Sequence, residues 1–151
     1  RVDGTLEKGE VRVQHSWATN FSFTEVLTFV TIPGSIVGFE SAGGPLLINV
    51  DMSLFASVAQ TFNCRPMIDG VWAGVFGGYP YVDRWTEGLT ATQYGWVNWS
   101  KSRVYTGVPA GHYTLSIQCL KDGNVSMMVG HPIVPQSVSV LEMHSMAPPL
   151  P

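Results

Sequence analysis

Four carboxylates, Asp51, Asp69, Asp83 and Glu87, are the side chains that could pair for acid–base work. Glycoside hydrolysis needs two of them about 5 to 10 Å apart across a cleft. Asp69 is accounted for by the Asp69-Gly70 turn pair, and Asp83 and Glu87 fall in a loop-like stretch. Asp51 is the odd one, a carboxylate in mid-strand on the same face as Leu47 and Phe55. A solvent-facing strand position or a polar contact between subunits explains it better than catalysis does.

Metal and nucleophile chemistry find little support. The 4 histidines, His15, His112, His131 and His144, are far apart, and no His-x-x-x-His or Cys-x-x-Cys spacing is present, so zinc ligation is not indicated. There is no Gly-x-Ser-x-Gly elbow, and neither Cys64 nor Cys119 sits in a polar, electropositive stretch that would lower its pKa. Both lie on apolar strand faces; one disulfide is allowed, and two buried free thiols are the slightly favoured reading. Gly74-Val75-Phe76-Gly77-Gly78 is glycine-rich but lacks the following helix and the Lys-Ser/Thr of a phosphate cradle. The expectation is a non-enzyme without a cofactor or a metal.

The stretch 70–99 carries the most information. It holds Trp72, Phe76, Tyr79, Tyr81, Trp85, Tyr94, Trp96 and Trp99, eight of the seventeen aromatic residues, interleaved with glycines. Flat side chains on a glycine-punctuated segment suit a ligand or receptor surface and cost little rotamer entropy when ordered. They equally suit a core or a subunit interface. Asn20, Asn98 and Asn124 each open an Asn-x-Ser acceptor sequon, relevant only in a eukaryotic secretory pathway.

Positioning these residues falls to strands. Val11, Val13, His15 and Trp17 alternate with polar neighbours. From Leu46 to Phe55, Leu46, Ile48, Val50, Met52 and Leu54 face one way, and Leu47, Asn49, Asp51, Ser53 and Phe55 the other. From His112 to Leu120, Tyr113, Leu115, Ile117 and Cys119 point inward, and His112, Thr114, Ser116 and Gln118 outward. Further strands are expected over 26–32, 36–39, 61–68, 71–76, 95–105, 125–129 and 137–143, with Pro66 marking an edge or bulge. Residues 54–60 could form one helical turn. About ten short strands punctuated by Gly and Pro predict an all-β, two-sheet antiparallel sandwich or jelly roll. One domain over 1–145, with an N-terminal arm at 1–10, is expected, followed by an extended proline-rich tail or linker at 146–151. A start at Arg1 rather than Met suggests processing or excision from a longer chain.

Charge narrows the partners. Charged residues are 13% of the 151, about half the usual share, and 8 scattered cations against 11 acids give a net charge of −3. Neither a row of phosphates nor an anionic membrane would be held by that, and no apolar run reaches the ~18 residues of a membrane helix.

Met67-Ile68-Asp69-Gly70, then Val108-Pro109-Ala110-Gly111-His112-Tyr113-Thr114-Leu115-Ser116-Ile117-Gln118, and last Val138-Ser139-Val140-Leu141-Glu142-Met143 together resemble a pattern in siphophage minor tail and tail-fibre-type proteins. Ile32-Pro33-Gly34-Ser35 and Gly43-Gly44-Pro45-Leu46-Leu47-Ile48 fit the same type, so the resemblance spans about residues 25 to 145. It implies a jelly-roll head of tumour-necrosis-factor-like layout, a homotrimer on a virion tail or particle surface, touching other virion proteins and in some cases a host glycan or receptor. No catalytic residues come with it. The heavier aromatic content at 70–99 departs from the pattern and leaves subunit contact and receptor surface both open. An extracellular carbohydrate-binding, lectin-like module and a capsid decoration protein are the alternatives.

Overall fold

A computed structural model describes residues 10–56, 60–77, 85–89, 96–123, 127–131 and 133–143, with backbone alone at 85–89. Two six-stranded antiparallel sheets face each other. In the first sheet, β5 (Leu46–Ala56) is central. β9 (Val97–Tyr105) flanks it on one side; β12 (Gln136–Glu142) and β11 (Met127–Val129) share the other. β1 (Glu10–Trp17) pairs outside β12, and β2 (Phe21–Phe23) outside β11. The second sheet centres on β10 (Gly111–Lys121) and β6 (Gln60–Ile68). β3 (Val30–Thr31) and β4 (Val37–Ser41) lie beside β10; β7 (Val71–Trp72) and β8 (Trp85–Leu89) lie beside β6. The chain crosses repeatedly between the sheets, the connectivity of a jelly roll.

Alternation puts one face of each sheet into a shared core. Leu46, Ile48, Val50, Met52 and Leu54 from β5 meet Leu115, Ile117 and Cys119 from β10, with Phe62 and Ile68 from β6. The expected faces of β5 and β10 are therefore the ones observed. Cys64 and Cys119 stand directly opposite each other on β6 and β10, Cα atoms 4.0 Å apart, and are joined in a disulfide. Adjacent register on paired strands brings their side chains together, which corrects the leaning toward free thiols.

Several local departures have physical causes. In β1 the register with β12 shifts between Val11 and Val13, so Val11 turns outward and is 59% exposed while Val13 packs on the core. The run 26–32 shortens to β3 because Leu27 sits at φ 56 and turns the chain. The run 71–76 splits into β7 and a single helical turn, α1 (Gly74–Gly77). No helical turn forms at Leu54 to Ala56, which continue β5; 57–59 lie outside the described residues. Pro66 lies inside the sheet, not at its edge. Its carbonyl accepts from Ala73 N on the side where β8 has ended and β7 has not begun, so its missing N–H costs no ladder bond.

The Pro33-Gly34 turn is anchored by Ser35. Ser35 Oγ donates to Ile32 O at 2.7 Å and accepts from Ile117 N at 3.1 Å, tying the Pro33-Gly34 turn to β10. Gly34 has φ 88, and a Cβ there would fall 2.6 Å from Trp17 Cδ1. Gly34→Ala is expected to cost about 1–3 kcal/mol in urea unfolding, from strain plus displacement of the indole. A loss near zero would mean that the Trp17 ring is not seated on this turn.

Candidate functional site

Of the eight aromatics at 70–99, Tyr79, Tyr81 and Tyr94 lie outside the described residues, as does the Trp85 side chain. The other four do not share a surface. Trp99 is 2% exposed and packs edge-on to Phe62 at 5.8 Å, so it belongs to the core, which corrects its place among surface candidates. Phe76 is half-buried against the same core. Trp72 sits on the outer side of the second sheet, where the Arg65 guanidinium lies 3.7 Å from the Phe29 ring and 5.9 Å from the Trp72 ring. Arg65 Nε and Nη2 both donate to Gln118 Oε1, so this stack has the form of a packed surface cluster. Of the four described, Trp96 reaches the outer face of the first sheet, its ring 5.8 Å from Phe55 and 4.9 Å from His131.

That outer face is built by register. Successive rows run across β1, β12, β5 and β9. Val11, Leu141, Leu47 and Val104 form an apolar row at one margin. Gln14, Ser139, Asn49 and Ser102 follow, then Ser16, Ser137, Asp51 and Ser100. At the far end of β5, Phe55 lies across from Met128 and against Trp96. Between these margins the sheet hollows into a depression of about 660 Å³, lined by Gln14, Ser16, Asn49, Asp51, Ser100, Ser137 and Ser139. Asn49 Nδ2 donates to Ser139 Oγ at 3.3 Å, and Ser137 Oγ reaches Asp51 Oδ2 at 3.5 Å. Asp51 is exposed, and among the described residues no Lys or Arg lines the depression.

The edge of this sheet is clamped by a buried carboxylate. Glu142, 0% exposed, accepts from Ala42 N at 2.9 Å, Gly44 N at 2.6 Å and Arg12 Nε at 2.8 Å. Burial raises its pKa, but the Ala42 and Gly44 amides and the Arg12 guanidinium outweigh that and hold it below the ordinary value of 4.5. The bulge at Arg12 aims the guanidinium at Glu142, and β12 delivers the carboxylate to the 42–44 turn.

The remaining candidates are engaged elsewhere. Asp69, at φ 50 in the β6–β7 turn, accepts from Thr114 N at 2.6 Å. Asp83 and the Glu87 side chain lie outside the described residues. His15 Nε2 contacts Gly34 O at 2.7 Å, His112 is exposed near Glu40, and His131 Nδ1 accepts from the amides of Ile133 and Val134. His144 and Asn124 lie outside the described residues, whereas Asn20 and Asn98 are exposed. Among the described residues, no group of three or more His, Cys, Asp or Glu is placed to hold a metal ion. Asn49 and Asp51 already stand on one outward face in the sequence; Gln14, Ser16, Ser100, Ser137 and Ser139 do not announce themselves, because only strand register unites them.

The chain is thus a two-sheet antiparallel β-sandwich of jelly-roll connectivity with a neutral-to-acidic polar hollow on one outer face. No protein-family model and no curated protein sequence matches it. Among solved structures it is similar to dimeric latent PorU from Porphyromonas gingivalis, at 10% identity and TM-score 0.49 over 94% of this chain and 13% of that one. It is similar to a chain of the infectious bursal disease virus Gx strain, at 16% identity and TM-score 0.47 over 91% of this chain and 38% of that one. It is also similar to the CBM22-1-GH10 modules of Clostridium thermocellum endo-1,4-β-D-xylanase 10B complexed with xylohexaose, at 13% identity and TM-score 0.36 over 93% and 28%. The chain spans well under two thirds of each of these structures. Among the described residues, no helix is long and apolar enough to cross a membrane.

Proposed function

We propose that the chain is a non-catalytic structural or adhesive head domain, displayed outside the cell on a virion tail, fibre or comparable particle surface, and that it meets its partner through the outer face of the first sheet. The observation that carries the choice of face is the four-strand polar hollow bounded by apolar residues at both margins. The virion address rests on the resemblance of about residues 25 to 145 to siphophage tail proteins. Among the described lining residues Asp51 is the one carboxylate, with no second acid or base beside it for a catalytic pair. The Cys64–Cys119 disulfide suits an oxidising compartment.

The test is a matched pair of variants. Ser139→Arg places a long cation in the hollow, and Thr114→Arg places one on the exposed outer face of the second sheet. Fluorescently labelled chain is then incubated with intact cells of a panel of bacteria. Retention lost in Ser139→Arg and kept in Thr114→Arg is the expected result; equal retention of the two variants contradicts the reading.

A second reading is favoured by the apolar row Val11, Leu47, Val104 and Leu141: the partner is a sister subunit, and the chain is a homotrimer. Light scattering then gives three times the 16.5 kDa of one chain, falling to the monomer in Ser139→Arg. A monomer at micromolar concentration with wild-type sequence rejects it.

A further inference from the structure

We infer that the hollow on the outer face of the first sheet is a binding site for a neutral oligosaccharide, with Asp51 the central acceptor and Trp96 a platform at one end. The inference rests on this face being the working surface and adds the chemistry of what it holds. The volume, about 660 Å³, is within the ~300–1,000 Å³ of small-molecule sites.

The lining selects the ligand class. Two amides, Gln14 and Asn49, and the serine hydroxyls can each donate and accept, while Asp51 only accepts. A ligand dense in hydroxyl groups, each both donor and acceptor, satisfies such a wall. An apolar ligand would leave it unpaired, at a cost for every buried polar group. An anionic ligand, whether phosphate, sulfate or uronate, would meet the Asp51 carboxylate with no Lys or Arg among the described lining residues to offset it.

The site is prepared in advance. Asn49 is held by Ser139 and Asp51 is met by Ser137, and the serines are short, so little side-chain freedom is lost on binding. From Asp51 to Phe55 is four residues along β5, about 13 Å, and Trp96 lies against Phe55. An occupant touching both Asp51 and the indole is therefore elongated, an oligosaccharide rather than a single sugar. Trp96, partly exposed beside Phe55 and His131 at that end of β5, is the aromatic residue nearest to serve as a stacking surface for a sugar ring.

The test is affinity electrophoresis of the whole chain through gels containing neutral polysaccharides (a mannan, a β-1,3-glucan, a β-1,4-glucan and a galactomannan), with alginate as the anionic comparison. At least one neutral polymer is expected to retard the chain, and alginate is not. Asp51→Ala should weaken that retardation about tenfold or more, because a charged acceptor is lost. Its melting temperature should not change, since Asp51 is exposed. Trp96→Phe should weaken binding less than Asp51→Ala.

Retardation by alginate alone, or unchanged binding in Asp51→Ala, overturns the assignment. So does the absence of retardation by every neutral polymer. If that absence accompanies loss of cell retention in Ser139→Arg, or a trimeric mass, the working face stands and only its sugar ligand falls. If Ser139→Arg and Thr114→Arg behave alike as well, both fall.

Discussion

Glu142→Gln is expected to lower the unfolding free energy by about 3 kcal/mol, the cost of breaking a buried, fully bonded charge pair from one side. The carboxylate is 0% exposed and receives two backbone amides and the Arg12 guanidinium. A glutamine can present an oxygen to only some of these donors; its amide would face at least one N–H head-on. Arg12, itself 19% exposed, would lose its buried charged partner, leaving the longer 3.4 Å contact to Glu10 as its ion pair. The pH dependence has a definite sign. Because the folded-state pKa lies below the unfolded value of 4.5, the contribution of Glu142 is fully present above that pH. It is lost as pH falls below about 4.5 and through the lower folded value. Urea unfolding at pH 6 and at pH 3.5 should therefore show a smaller drop for Glu142→Gln than for the native chain. An equal drop in both would mean that this carboxylate does not clamp the sheet edge.

Removing the Cys64–Cys119 bond should cost about 4 kcal/mol, the chain-entropy figure for a cross-link 55 residues apart. For a domain of this length that is about 10 °C in melting temperature. Both sulfurs are buried, 0% exposed, between the sheets, so reduction requires the sandwich to open. Two measurements check this: the melting temperature of Cys64→Ala/Cys119→Ala, and the thiol-labelling rate of native chain in dithiothreitol. The native chain should label at the rate of global unfolding. Rapid labelling without denaturant would show that β6 and β10 separate locally.

The elements that alternate cleanly in sequence, β5 and β10, are the elements that form the centre of each sheet, since a half-buried strand must repeat every two residues. Shorter pieces were less legible. Phe21–Phe23 and Trp85–Leu89 pair as β2 and β8 without a periodic signal of their own, because edge strands of three to five residues take their partners from the sheet. Trp99 is one of eight aromatics that the sequence leaves open between surface and core, and its place opposite Met52 turns it inward. Lys121 continues the inward series of β10 and is buried, its Nζ donating to Gly123 O at 2.7 Å, which no sequence pattern foretells. The hollow was half visible. Asn49 and Asp51 share a strand face, whereas Gln14, Ser100 and Ser139 join them from positions up to 125 residues apart in sequence. Register carries that information, and it is set by turns and by the bulge at Arg12 rather than by composition.

The most direct measurement of the outer face as the working surface is carboxyl footprinting. Native chain is treated with carbodiimide and glycine ethyl ester, free in solution and again while retained on cells or assembled, and modification is read by mass spectrometry. Asp51, exposed in the hollow, should react in the free chain and be protected severalfold in the engaged one. Glu40, 77% exposed on the outer face of the second sheet, should react equally in both. Protection of Glu40 with Asp51 left reactive would place the working surface on the other sheet.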